Sequence, residues 1–408
     1  MKYDFDHEAP RFGTYSMKYD DNGCFEAMAP GIRLDEDTIR IFLADMDFRA
    51  APAIVAAMHR VADHANFGYT TANAAPEFNR AIMGWYQRRY GFHIENDWII
   101  YANGALEGVS QTISAFSQPG DGIIVCYPVY SNFTGTVRRL GRRLVNCQKR
   151  HRAVGVYEMD WARFETLCAQ KENKVFVLCS PENPVGRIWT VEELNQMAGI
   201  CRQNGVVIVS DEIHSDFVRR GEKHTPILQA VADHSNLIMV SGPNKSFNLQ
   251  GLHCAYSVIP DKALRERYMA GYEPNMPTPF AVGALIAAYD ESEDWLDQLN
   301  AYLDEGLAWA VDYLHERLPL AKAYVPQASY VLWVDFSRYG YPPDVLQYII
   351  NHRANVGVQT GLAHDPEQGT YYLRICFTCS KATMKEAIDR MAAAFAEFEA
   401  EKTAQTEK

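Results

Sequence analysis

Lys245 stands in SGPNKSFNLQG, residues 241 to 251, with the apolar run NLIMV directly before the stretch and LHCAYSVI directly after it. A surface lysine needs no such setting. In a cleft of low dielectric the amine holds its proton weakly and becomes a nucleophile toward a carbonyl. Four other stretches also follow apolar runs and carry groups suited to such a reaction. In VVIVSDEIHSDF, Asp211 and His214 come at the end of the run. A buried carboxylate there pairs with a cation, such as a protonated ring nitrogen, or caps the next helix. In CSPENPVGRIW, Pro184 and Gly186 dictate a turn and leave the Asn183 amide to hydrogen-bond something. In CYPVYSNF, Tyr130 either stacks on a flat heteroaromatic ring or packs as a core tyrosine. In YANGALEGVSQTI, Gly104 turns the chain from a strand into a helix. The amides of Gly104, Ala105 and Leu106 then form an anion site, or the turn is only a connection. Neither GxGxxG nor GxxxxGK[ST] occurs.

The elements that must position these groups follow from the apolar pattern. WIIY (98–101), GIIVCY (122–127), RLVNC (143–147), KVFVLC (174–179), VVIVS (206–210), NLIMV (236–240) and HCAYSVI (253–259) are continuous rather than alternating apolar runs. Strands of that kind are covered on both faces, so they predict an α/β fold with a mostly parallel seven-stranded sheet between helices. Between the runs lie helical segments such as TVEELNQMAGICRQNG, where Thr190 and Glu193 form a capping box and Gly205 closes the helix. Beyond residue 280 the pattern becomes one long helix over 281–318, then the strands YVLWVDF and YYLRICF and a final helix. This predicts a large domain over 45–285 and a smaller α+β domain from 1–44 and 286–408, with the ligand in the cleft between them.

Composition excludes several classes. The 408 residues carry a net charge of −12, and the basic runs RRLGRR and KRHR are short and read as solvated faces, so a nucleic-acid partner is not expected. The acidic, broken N-terminus has no signal-like apolar core, and no apolar stretch is long enough to cross a membrane. A cytoplasmic location follows as the default expectation. The nine cysteines fall mostly inside apolar runs, where reduced, buried thiols are expected. The CxxC of Cys376 and Cys379 has no second pair of ligands nearby, so no metal site is expected.

Taken in order, Asn-Pro-x-Gly, then Asp-x-x-His about 28 residues on, then Lys about 34 further, resemble the fold-type I pyridoxal-phosphate enzymes of the class I/II aminotransferase family. Within it the chain is similar to the MalY/PatB-type cystathionine β-lyase, or carbon–sulfur lyase, branch. LADMDF (43–48), NFGYT (66–70), PVY (128–130), NPVGRIWT (183–190), SDEIHSD (210–216), KSFNLQGL (245–252) and LRICF (373–377) carry the match over nearly the whole chain. The resemblance implies that Lys245 holds pyridoxal 5'-phosphate and moves the substrate's α-proton. Asp211 would pair with the pyridine nitrogen, and Asn183 with the phenolic oxygen, His214 standing near it. Tyr130 would stack on the ring, and the amides at Gly104, Ala105 and Leu106 would bind the phosphate. Arg374 would take the substrate's α-carboxylate. Tyr69 would reach the phosphate of a partner subunit, which implies a homodimer with shared sites. Two positions depart from the pattern: Asn244 stands where a phosphate-binding serine is usual, and His253 where many aminotransferases have arginine. The stretch QTGLAHDPEQG before Arg374 matches the branch poorly.

The implied activity is β-elimination from L-cystathionine or another cysteine S-conjugate to thiol, pyruvate and ammonia. Transamination of an amino acid and keto acid pair uses the same residues. A regulatory or binding protein that keeps the fold is a third reading, from a different class.

Overall fold

The computed structural model describes residues 2–26, 28–29, 31–70, 76–270, 272 and 276–406. Its centre is a seven-stranded sheet. The first strand, β1 (Ile99–Ala102), leads through Gly104 into α1 (Ala105–Phe116). After it come β2 (Gly122–Val125), β3 (Arg143–Asn146), β4 (Asn173–Cys179), helix α2 (Val191–Gln203), β5 (Val207–Asp211), β6 (Leu237–Ser241) and β7 (Ala255–Val258). All seven apolar runs are strands of this one sheet, in the order β1-β7-β6-β5-β4-β2-β3. Only β7 runs against the others, pairing antiparallel with both β1 and β6.

Both faces of the sheet are core, which explains the continuous apolar runs. Ile124, Phe176, Leu178, Ile208 and Met239 face one apolar cluster with Leu194, Met197 and Cys201 of α2. Their neighbours Ile123, Val125, Val175, Val177, Val209 and Ile238 face the other, with Val109 and Ile113 of α1. Alternate residues of a strand point to opposite faces, so a sheet covered on both sides has no polar positions to spare. Each such side chain contributes about 1.5–3 kcal/mol on burial. Helix α2 has the capping box read from its sequence: Thr190 and Glu193 each accept a hydrogen bond from the other's backbone.

Beyond the sheet, two helices stand where one long helix over 281–318 is predicted: α3 (Pro279–Glu291) and α4 (Glu293–Arg317). The break is at Ser292, whose hydroxyl is buried and donates to the Ala287 carbonyl at 2.9 Å while its own carbonyl accepts from Trp295. A serine that bonds back to the preceding turn competes with the helix ladder, and the acidic Glu293 and Asp294 then start a new helix at its favoured end. A smaller sheet follows, with β8 (Val331–Asp335) and β9 (Gln359–Thr360) both antiparallel to β10 (Tyr372–Cys376), and the chain closes with α5 (Lys381–Thr406). The segment at 41–47 joins this sheet through Cys376 N to Ile41 O at 2.9 Å and Asp47 N to Thr378 O at 2.8 Å. Among the described residues no helix is long and apolar enough to cross a membrane.

One basic run differs from its reading as a solvated face. RRLGRR is half-buried to exposed, and Arg150, His151 and Arg152 are exposed, but Lys149 of KRHR is buried. It forms an ion pair with Glu182, which is also buried. A lysine next to three exposed residues carries no local mark of burial, because its partner is supplied by a loop 33 residues away. All nine cysteines are free, and eight of them, including Cys376 and Cys379, are buried.

Candidate active site

The carboxyl ends of β2, β4, β5 and β6 open on one edge of the sheet, where ligands bind in open α/β folds. Three of the four strands are stopped there by residues that cannot continue a ladder: Pro128 after β2, Pro181 and Pro184 after β4, and Gly242-Pro243 after β6. Gly242 also lets β6 and β7 approach. A Cβ at that position would lie 2.7 Å from the Cys254 carbonyl oxygen and 2.8 Å from Ala255 Cα.

The loops at this edge enclose a cavity of about 180 Å³, lined by Gly104, Ala105, Leu106, Tyr130, Asn183, Asp211, His214, Asn244, Lys245 and Arg374. Ten of the sequence-predicted site residues therefore meet in one place, although they span 270 positions from Gly104 to Arg374. Tyr69 does not. Its side chain is fully exposed and stands outside the cavity of its own chain. His253 is also exposed and outside the cavity, with left-handed backbone. The cavity adds five residues that the sequence reading did not single out: Leu43, Ala44, Cys179, Ile213 and Gln250. Each lies in or beside a stretch quoted above, but nothing in the residue types marks which way they face.

Lys245 is the centre of a clasp between two motifs. Its Nζ donates to the Ala44 carbonyl at 2.8 Å, and Gln250 Nε2 donates to the same oxygen at 3.0 Å. Asn248, in left-handed backbone, holds the Met46 peptide from both sides: its Oδ1 accepts from Met46 N at 3.0 Å, and its Nδ2 donates to Met46 O at 2.9 Å. LADMDF is itself anchored by charge. Asp47 is buried with Lys18 at 2.7 Å, and Arg11 reaches both Asp45 at 2.8 Å and Asp47 at 3.0 Å. KSFNLQGL is thus fixed against LADMDF, and the amine points into the cavity mouth.

The electrostatics ease the loss of the Lys245 proton. Burial, followed by the positive charge of Arg374, pulls Lys245 down to about 8. Burial pushes Asp211 up to about 7, against the Ile213 amide that donates to its Oδ1 at 3.0 Å. Among the described residues no cationic side chain forms a salt bridge with Asp211, so the carboxylate is a seat for a cation. Burial, with Lys245 and Arg374 nearby, pulls His214 down to about 3, which leaves it neutral, with Nδ1 paired to the Ser329 hydroxyl at 3.1 Å. Tyr130 is half-buried, and its hydroxyl accepts from Asn132 Nδ2 at 2.7 Å. Arg374, buried in the middle strand of the smaller sheet, donates through Nη2 to the Phe42 carbonyl at 2.8 Å and through Nη1 to Asn183 Oδ1 at 3.4 Å. Asn183 Nδ2 is thereby the atom left to donate toward the cavity.

Three observations test what the cavity can hold. Arg374 Nε and Asn244 Oδ1 are buried without a hydrogen-bond partner among the described residues. A Cβ built on Gly104, at the start of α1, meets nothing within 4 Å among the described residues, which leaves room over the first amides of that helix. Those amides have no carbonyl to meet within the helix and favour an anion. An anion seat, a cation seat at Asp211, a ring-sized aromatic at Tyr130 and an amine at Lys245 together fit a phosphorylated pyridine aldehyde.

Comparison with known proteins finds similar chains along nearly the whole length. The model of the family "Aminotransferase class I and II" matches residues 43–391. The chain is 34% identical over 394 residues to cystathionine beta-lyase PatB of Bacillus subtilis, covering 96% of this chain and 99% of that one. It is 29% identical to the protein MalY of Escherichia coli, over 95% of this chain and 97% of that one. Among solved structures, cystalysin from Treponema denticola, which contains a pyridoxal 5'-phosphate cofactor, superposes with a TM-score of 0.90 at 26% identity, covering 98% of this chain and 100% of that one.

Proposed function

Because the chain belongs to the class I and II aminotransferase family, we propose that it is a pyridoxal-phosphate-dependent carbon–sulfur β-lyase. It cleaves L-cystathionine or a related cysteine S-conjugate to a thiol, pyruvate and ammonia. The observation that carries lyase over amino transfer is the similarity to a cystathionine beta-lyase along nearly the whole chain, since the cavity residues serve either reaction. The division into 45–285 and 1–44 with 286–408 belongs to this reading: Leu43, Ala44 and Arg374 come to the cavity from one part and its other residues from the second.

When bound, pyridoxal phosphate supplies an electron sink for the charge left at the substrate's α-carbon. Asp211 would hold the protonated ring nitrogen, Asn183 Nδ2 would donate to the phenolic oxygen, and Tyr130 would cover a ring face. The amides of Gly104, Ala105 and Leu106 would hold the phosphate, with Asn244 beside them. Its amide has to present Nδ2 rather than Oδ1 to an anion, and the two orientations have nearly the same shape. Arg374 has a free Nε beside its anchored Nη groups, so the α-carboxylate is taken by a donor fork already fixed in place. Lys245 Nζ gives up its proton far more readily than an ordinary lysine, and its neutral form accepts the α-proton. His214 adds no charge, so the negative charge that develops is met by Arg374 and Lys245.

The decisive assay incubates the purified protein with L-cystathionine and pyridoxal phosphate and follows free thiol and pyruvate. Stoichiometric release of both is expected. Amino transfer to a keto acid without thiol release would replace the lyase reading with transamination, and no cofactor binding at all would leave a regulatory or binding role.

The proposal includes a homodimer. Tyr69 is fully exposed and does not line its own cavity, which supports the reading that it serves a partner's. Light scattering is expected to give about twice the 46.2 kDa mass of one chain. A monomer would remove Tyr69 from the site. Nine unpaired cysteines fit a reducing compartment such as the cytoplasm.

A further inference from the structure

From the buried Lys149–Glu182 pair we infer that Lys149 and Glu182 are positioning residues that set where Tyr130 and Asn183 stand, by tying together the two loops that carry them. Lys149 lies just beyond β3, at the edge of the sheet next to β2, which in turn adjoins β4. Its Nζ donates to the Pro128 carbonyl at 2.8 Å and to Glu182 Oε1 at 2.5 Å, and its backbone N donates to Tyr127 O at 3.1 Å. Pro128 is two residues before Tyr130, and Glu182 is next to Asn183. One amine thus spans the ends of three adjacent strands.

The Glu182 end is held rigidly. Glu182 N donates to Arg187 O at 2.9 Å, and Gly186 N donates to Glu182 O at 2.8 Å, closing a tight turn. Gly186 is in left-handed backbone at φ +68, and a Cβ there would lie 2.8 Å from the Ala328 carbonyl oxygen, so the turn admits no other residue without movement.

Stability alone does not explain the pair. Lys149 is 2% exposed and Glu182 3%, and both charges have lost their water. Glu182 Oε2 has no hydrogen-bond partner among the described residues. A buried ion pair with an unsatisfied oxygen is commonly no more stable than an apolar pair of the same volume. What an apolar pair cannot do is hold a carbonyl and a carboxylate at fixed distances, and that is what the loops need if a ring is to fit between Tyr130 and Asn183.

The inference rests on the cofactor reading above, and the test separates the two. Lys149→Met and the double variant Lys149→Met with Glu182→Leu are compared with the wild type by titrating pyridoxal phosphate into cofactor-free protein. Thermal unfolding and hydrogen exchange of residues 127–133 and 180–186 are measured without cofactor. The single variant strands a buried carboxylate and is expected to melt lower, and the double variant to regain the wild-type midpoint. Both are expected to bind pyridoxal phosphate roughly tenfold or more weakly, with faster exchange in the two loops. A double variant with wild-type affinity and wild-type exchange would overturn the inference, because it would show that the pair serves only to fill space. If the wild type binds no pyridoxal phosphate, the cofactor reading fails and loop exchange decides the inference by itself.

Discussion

Lys245→Ala is expected to abolish the visible absorbance that pyridoxal phosphate gives with the wild-type protein and to lower thiol release by roughly 10³-fold or more, since one group both attaches the cofactor and moves the proton. The variant is expected to fold, because the Ala44 carbonyl keeps Gln250 Nε2 at 3.0 Å. Unchanged absorbance in the variant would remove Lys245 from the site. The same amine predicts a pH dependence. Only the unprotonated form attacks a carbonyl, and Lys245 is pulled from 10.5 to about 8. Attachment of pyridoxal phosphate to the cofactor-free protein is therefore expected to quicken as pH rises, with a midpoint near 8 rather than 10.5. The linked effect on stability has a definite sign. The folded state gives up this proton near 8 while the unfolded chain keeps it to 10.5, so the unfolded state binds more protons in that window. The cofactor-free protein gains stability from this group as pH rises through the window, and the contribution is lost as pH falls through about 8. Lys245→Ala is expected to flatten that rise.

Arg374→Lys is expected to raise KM for L-cystathionine by roughly 10- to 150-fold, the range that corresponds to losing one charge-assisted hydrogen bond of about 1.5–3 kcal/mol. The positive charge is kept, so any loss measures geometry. Arginine is held by the Phe42 carbonyl and Asn183 Oδ1 and still presents Nε, whereas the lysine ammonium is a single point on a flexible stem. Steady-state kinetics with the cofactor saturating separates KM from kcat, and an unchanged KM would mean that the α-carboxylate is bound elsewhere. Because Asn183 loses the bond that orients its amide, weaker cofactor binding is expected alongside.

Much of this site is legible in the sequence for a local reason. A strand covered on both faces is apolar at nearly every position, so Lys245, Asp211, Asn183 and Tyr130 are each announced by the run before them, and all but Asp211 also by the Pro or Gly around them. The capping box of α2 is local in the same sense. Ser292 marks the limit of that logic. The apolar period runs straight through it, and only a buried hydroxyl turned back on the Ala287 carbonyl divides the helix in two.

What the chain determines by itself is therefore which segments are strands, where each ends, and which reactive group waits at the end. What tertiary structure decides is who meets whom. Arg374 reaches Asn183 across 191 residues, Lys245 reaches Ala44 across 201, and Lys149, which three exposed residues follow, is buried against Glu182. Periodicity encodes the face that an element turns to the core, because that depends on the element alone. The partner of a buried charge depends on how separate elements are stacked, and that information exists only once the sheet is assembled.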